Sequence, residues 1–343
     1  MATKIEIAAV GDILMWQDQI QSAKVIGEMR YDFTSMFEQV SPYFHHADLV
    51  IGNLETTLSG REKHYQQRNK RTGYPMFNCP DELAHGLHKA GFDVVTTANN
   101  HCMDRGIAGL KHTITILNQE GLSHTGTFAT KNDAWQPLIR NVKGVRVGIL
   151  AYTYGTNFLP IPQDHDYAVS LIREAVMVRD VKRLKPLVDI ILIAMHFGYE
   201  FHRKPSKRQE RLARMLFQAG ADVVLGAHPH VLQPLEKMLI KDDFGEKKMR
   251  YVIYSLGNFI STRMMNNPLT EQSIILRIYA TKNEKSAYVY HVSALPTFVK
   301  RVSQDSRIRF LVQPLPRSTQ DIHLLGMRKQ ILQHVLQHGI QAS

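Results

Sequence analysis

The chain has only two cysteines in 343 residues, Cys79 and Cys102. Two thiols cannot make a disulfide framework. They fit a reducing compartment, with a single bridge left open. Long apolar runs are missing as well. The opening stretch MATKIEIAAVGDILMW lacks the hydrophobic centre of a leader and reads as a strand. The longest apolar run elsewhere, 190–195, is far short of the roughly 20 residues a membrane span needs. These absences predict a cytoplasmic protein with no transmembrane segment. Low-complexity tracts and internal repeats are absent too, and 44% hydrophobic with 21% charged residues excludes disordered and fibrous classes. No GxxxxGK[ST], GxSxG, CxxC or HExxH pattern occurs, which argues against a P-loop kinase, an α/β-hydrolase, a zinc ribbon and a zincin.

Acidic residues are in deficit. Lys and Arg number 42 against 31 Asp and Glu, a net charge of +11. Two stretches supply 9 of those charges: 60–75 (GREKHYQQRNKRTGYP), +4, and 202–214 (HRKPSKRQERLAR), +5. The first reads as a mobile loop, and Pro205 is expected to start a helix in the second. An anionic partner follows: a small molecule, a peptide or a polymer. Nothing resembles a recognition helix or a base-stacking platform, so specific nucleic-acid binding is not expected.

What the sequence does have is alternation. Strand-like runs at 5–10, 49–52, 94–98, 145–152, 190–195, 223–226 and 251–256 are Val/Ile/Leu-rich on both parities, as strands buried on both faces are. Helical patterns occupy 31–44, 81–89, 106–119, 172–184 and 207–218. The pattern predicts an α/β fold with helices packed on sheets. Beyond about residue 282, two or three strands and a helix over 319–337 are expected. The division expected is 1–281 as a catalytic unit, with 282–343 packed on the same domain.

Six of the runs end in polar clusters: Gly11-Asp12, Gly52-Asn53-Leu54-Glu55, Asn99-Asn100-His101 with Asp104, His196 with Glu200, His228-Pro229-His230, and Gly257-Asn258. Ligands of open α/β sheets bind beyond the carboxyl ends of strands, so the six are expected to converge. Imidazole binds zinc, iron, nickel or copper and also serves as acid or base. An Asn oxygen can ligate a metal. Asp104 orients His101 or caps the next helix. Asn53 and Asn99, with Glu200 and Asn258, are candidate substrate contacts, as are Arg68 and Arg71 of the basic stretch.

In their order, the stretches GDILM, DLVIGNLETTL, GFDVVTTANNHCMDRGIAGL, HFGYEF, GADVVLGAHPHVLQPLE and YSLGNFI resemble the CapA/PgsA capsule-synthesis family, associated with bacterial poly-γ-glutamate. That family looks like a branch of the calcineurin-like metallophosphoesterases. The resemblance implies a four-layer α-β-β-α sandwich and a metal-dependent hydrolase or transferase acting on an anionic substrate, such as a γ-glutamyl polymer. It implies one or two divalent ions (Mn, Zn or Fe), or none. Asp12, Glu55, Asn100, His196, His228 and His230 match its metal ligands, with His196 and His228 on the second ion and His230 on the first. His101, Asp12 and His230 are the expected catalytic groups. Two departures stand out: Leu14 occupies the place of a ligating His, and Asn53 the place of the bridging Asp, so that Glu55 must reach in. Two further readings stay open: metal-free acid/base chemistry on a peptide, as in an epimerase, and a non-catalytic polymer-binding subunit.

Overall fold

A computed structural model describes residues 2–304, 307–336 and 341–342. Two sheets carry the chain. The first has nine strands among the described residues, and strands Thr3–Ile13, Leu49–Leu54, Val94–Thr96 and Ser123–Thr125 form its parallel half. On the other side of Thr3–Ile13 the sheet continues antiparallel through Gln272–Lys282, Ala287–Gln304 and Arg307–Pro314. It therefore runs without a break across residues 281 and 282. The second sheet has six strands, with Val145–Thr153, Ile190–His196, Val223–Ala227 and Lys247–Ile253 parallel at its centre.

Side-chain parity makes the layers. Ile5, Ile7 and Ala9 of the first strand pack against Val147, Ile149, Leu192 and Leu225 of the second sheet. Their neighbours Ala8 and Val10 face outward onto Phe37, Phe44, Leu83 and Leu87 of the helical side. In the second sheet Ile191, Ile193 and Met195 likewise face helices Glu174–Leu184 and Lys207–Ala219 through Met177, Val181, Leu212 and Leu216. A strand buried on both faces needs both parities apolar, which is what the runs display. The result is the four-layer α-β-β-α sandwich. Helix Ile322–Val335 closes one edge of the inter-sheet core through Ile331 and Val335; Gln337, the expected end of this helix, lies outside the described residues.

Helices Gly106–Gln119, Glu82–Ala90 and Glu174–Leu184 occur where the periodicity predicts them. Three expectations need correction. The single helix over 31–44 is instead a short 3-10 turn, Thr34–Met36, and a separate helix, Ser41–His46. Asp32 Oδ1 accepts the Thr34 amide and Pro42 restarts the helix, so two local signals divide one apolar pattern. The stretch 60–75 holds a hairpin arm, Gln66–Arg68 pairing with Pro75–Cys79, rather than only a loop. The second basic stretch starts its helix at Lys207, two residues after Pro205. Ser206 is the N-cap, in a capping box with Gln209. The two thiols, both buried, are free. Among the described residues no helix is long and apolar enough to cross a membrane.

Candidate metal centre

The site lies beyond the carboxyl ends of the parallel strands of both sheets. Asp12 stands in register with Asn53 and with Asn258. Glu55 follows strand Leu49–Leu54, and Asn99, Asn100 and His101 follow Val94–Thr96. His196 ends its strand beside Ala227, and His228 and His230 come directly after. Two glycines allow these ends to meet. A Cβ on Gly11 would lie 1.9 Å from the Gly257 carbonyl oxygen, and one on Gly226 2.0 Å from that of Tyr254. His228 and His230 both take positive φ, 96° and 58°. Such backbone costs of order 1–3 kcal/mol at a non-glycine residue. Here it brings the two rings to a centroid separation of 5.9 Å, with His196 4.9 Å from His228.

Glu55 is the centre of the cluster. It is fully buried, and neither carboxylate oxygen has a hydrogen-bond partner. His196 Nε2 lies 3.3 Å from Oε1, off the hydrogen-bonding direction, and His230 Nδ1 lies 3.8 Å from Oε2. Two compact ligand triplets share this carboxylate: Asp12, Glu55 and His196, and Glu55, His228 and His230, with ligand atoms within 4.8 Å of one another in each. This grouping puts His228 with His230 rather than with His196. Asn100 Oδ1 accepts from His196 Nε2 at 2.7 Å, which places it beside the first triplet. Buried His228 Nδ1 also lacks a partner. Orphaned buried polar atoms are costly in an otherwise packed site, and carboxylate, imidazole and amide donors together suit a divalent first-row metal. The residues present fit such an ion.

Charge in the site is uneven. Burial pushes the Asp12 carboxyl upward, but its bond to and attraction for His230 outweigh this and hold it below the usual range. His230 is opposed by burial, yet the Asp12 bond, 3.3 Å from Nδ1, raises it. Burial, then the neighbouring Asp12 charge, drive Glu55 well above the carboxylate range. Burial lowers His196 to about 3 and His228 well below its ordinary value. Burial and Asp12 thus favour the uncharged form of Glu55 and burial the neutral imidazoles of His196 and His228, while Asp12 and His230 favour each other's charged form. Neutral imidazoles are in the protonation state a metal requires.

His101 stands apart with a partner of its own. Its Nδ1 donates to Asp104 Oδ2 at 2.6 Å, and the same oxygen accepts the Phe77 amide. Asp104 therefore orients His101; it does not cap the helix, whose N-cap is Arg105 with no side-chain bond. Tyr74 stacks on His101 at 5.9 Å, and Phe77 meets its ring edge-on at 4.7 Å.

Three expected substrate contacts are occupied within the protein. Asn53 Nδ2 donates to Asp12 Oδ1 at 2.7 Å and lies 3.3 Å from His196 Nδ1, while its Oδ1 accepts from Thr96 and Asn99. Asn99 also donates to the Leu54 carbonyl and accepts the His101 amide. Asn258 accepts from His230 Nδ1 at 2.9 Å and donates to the Thr270 carbonyl. Such filled amides hold the ligands in place. Glu200 accepts from the Tyr74 hydroxyl rather than from His196. Arg68 and Arg71 are exposed on the hairpin that carries Tyr74, and Arg68 donates to the Gly73 carbonyl.

Tyr74, Phe77, Tyr154 and Asn157 have no motif to mark them. Tyr154 stacks on His196 and tilts against His228 at 4.7 Å, forming a wall, and Asn157 accepts from Asn100.

The profile of the family described as bacterial capsule synthesis protein PGA_cap matches residues 6–263. Capsule biosynthesis protein CapA of Bacillus anthracis is 32% identical over 262 residues, 75% of this chain and 60% of that protein. PGA biosynthesis protein CapA of Bacillus subtilis (strain 168) is 30% identical over 284 residues, 80% of this chain and 67% of that protein. The aligned part is thus about three fifths to two thirds of the length of these relatives. Among solved structures, a 5'-nucleotidase precursor from Thermus thermophilus aligns over 96% of this chain and 59% of that one, with a TM-score of 0.50 at 14% identity, a likeness of fold alone. The fold is shared with that nucleotidase, and the chain belongs to the bacterial capsule synthesis PGA_cap family.

Proposed function

We propose that this chain is a metal-dependent hydrolase or transferase that acts on an anionic substrate in poly-γ-glutamate or capsule metabolism. The observation that carries this reading is the Glu55 carboxylate, buried without a hydrogen bond and shared by two ligand triplets. In the absence of a cation the arrangement is unfavourable; with one, Glu55 would be among the residues that hold it. Asp12, Glu55 and His196 would hold one ion, with Asn100 beside them, and Glu55, His228 and His230 the other. Mn, Zn and Fe suit this donor set. A bound ion would supply Lewis acidity toward a carbonyl or phosphoryl oxygen.

The chain's own residues do the rest. Asn53 and Asn258 orient Asp12, His196 and His230 through filled amides. Asp104 fixes the proton of His101 on Nδ1, leaving Nε2 as the nitrogen that exchanges a proton with the leaving group. Tyr74 and Tyr154 wall the site, and Arg68, Lys70 and Arg71 draw anions toward the hairpin. Metal-free epimerisation has less support. It needs two bases on opposite sides of a Cα–H, whereas Asp12 and His230 already pair with each other at 3.3 Å.

The test is reconstitution. Chelator-stripped protein is loaded with Mn, Zn or Fe and assayed on phosphoester and γ-glutamyl substrates. Turnover that appears with metal and vanishes in His101→Gln supports the reading. Absence of turnover with every metal, alongside deuterium exchange into a peptide in chelator, would overturn it.

A further inference from the structure

A cavity of about 730 Å³ lies beside the metal centre and shares no residue with it. It forms at the crossover where the chain leaves strand Ser123–Thr125 of the first sheet and enters the second at Leu138–Val142. Its floor includes Tyr152 and Ser170, and helix Glu174–Leu184 makes one side. Four cations line it, Lys131, Arg173, Arg179 and Arg183, against two carboxylates, Asp166 and Asp180. Asp180 is already neutralised: Arg179 reaches it at 2.9 Å and the Tyr152 hydroxyl donates to it at 3.1 Å. Lys131 and Arg173 have no ion-pair partner among the described residues. The volume is that of a ligand site.

The position of the cavity relative to the metal centre narrows the ligand. The Thr153 amide donates to the Ser170 carbonyl, and the Ile172 amide to that of Thr153. One thickness of backbone therefore separates the cavity from Tyr154, the wall of the metal centre. In the other direction an open groove continues along helix Glu174–Leu184, shares Arg179 and Arg183, and adds Lys182, which pairs with Asp243 at 2.7 Å, and Glu174, which pairs with Arg211 at 2.6 Å. Arg173, Arg179 and Arg183 follow one another along this helix at intervals of six and four residues, about 9 and 6 Å of rise, instead of converging on one point. A compact anion such as phosphate needs convergence; a chain of regularly spaced carboxylates needs spread.

We infer that the cavity is an accessory binding site for a polycarboxylate chain, which it holds while another part of the same chain lies at the metal centre. The substrate side of this inference rests on the proposed function; the binding side does not.

The experiment is fluorescence anisotropy with a labelled γ-linked oligoglutamate. It compares the intact protein with the double variant Lys131→Glu/Arg173→Glu and with a charge-matched control, Lys285→Glu/Lys300→Glu, at exposed positions away from the cavity. The cavity variant is expected to bind roughly tenfold or more weakly and with a shallower salt dependence, the control to bind as the intact protein does. Metal content and turnover of a short substrate are expected to be unchanged in both. Equal affinity in the cavity variant, or equal loss in the control, overturns the inference. Loss confined to the cavity variant in a protein that proves to bind no metal would uphold the accessory site while the proposed function fails. Metal-dependent turnover with no effect of either variant would do the reverse.

Discussion

At the residue scale the account depends on one carboxylate. Glu55 makes no hydrogen bond and is destabilised by burial and by Asp12. Replacing it with Gln removes a carboxyl whose charged form burial and Asp12 both oppose, without breaking a bond. In chelator, Glu55→Gln is therefore expected to melt no lower than the intact protein. With metal present it is expected to lose the stabilisation that the ion gives, and paired thermal scans check both. His101→Gln is expected to behave differently. Metal content stays, and kcat falls by roughly 10²–10⁴, the range for loss of a positioned acid or base. Asp12, His196, His228 and His230 are legible in the sequence because each follows a strand-like run. The supporting roles of Asn53, Asn99 and Asn258 are not. An amide at a strand end looks the same whether it faces a ligand or is filled by Thr96 and Leu54, and only the tertiary structure distinguishes the two cases.

At the element scale, strand ends are brought close by glycines whose missing Cβ cannot be restored. Gly226→Ala would drive a methyl group to 2.0 Å from a backbone carbonyl oxygen. Neither backbone can yield without disturbing two parallel strands, so a loss of about 3 kcal/mol or more is expected, read as a drop in the denaturant midpoint. The hairpin Gln66–Cys79 is held over His101 by Tyr74 and by its hydroxyl's bond to Glu200. Tyr74→Phe keeps the ring and removes the bond. Faster hydrogen exchange at the amides of Pro75–Cys79 strand residues is expected, with metal affinity unchanged. Composition alone makes 60–75 look like a loop, because two short arms and a turn carry no apolar periodicity. The division of 31–44 shows the converse: its apolar pattern is helical, but Asp32 and Pro42 act locally and override it.

At the scale of the whole molecule the layered fold is readable from the double-sided apolarity of the runs, and the positions of the six clusters follow from strand direction. The antiparallel extension of the first sheet is less visible, since Gln272–Lys282 and Ala287–Gln304 alternate with polar residues where they face solvent. The site also gives the metal-free protein a pH signature. The unfolded chain protonates histidine near 6.5, whereas His196 stays neutral to about 3 and His228 well below its ordinary value. Their contribution is present above pH 6.5 and is lost as pH falls toward the folded values. Glu55 acts in the opposite sense. Its raised folded value gives stability below about 4.5 that is lost as pH rises. The raised His230 likewise contributes below 6.5 and loses that contribution as pH rises through its folded value. Asp12, held low, adds stability above 3.8 that is lost as pH falls through its folded value. Between 4.5 and 6.5 acidification loses the contribution of two histidines and regains that of Glu55 alone, so stability falls; below 4.5 Glu55 no longer compensates, and below 3.8 Asp12 adds its own loss. The melting temperature in chelator is expected to fall moderately from pH 6.5 to 4.5 and steeply below it. In Glu55→Gln the steep fall is expected to begin at 6.5.

The proposed role of Glu55 is to hold bound metal. Its most direct test is elemental analysis of the intact protein and of Glu55→Gln, both purified without chelator and dialysed against Mn, Zn or Fe. Stoichiometric metal, approaching two ions per chain, is expected in the intact protein and little in the variant. Intact protein that retains no metal above background, or a Glu55→Gln variant that retains as much as the intact chain, would contradict it.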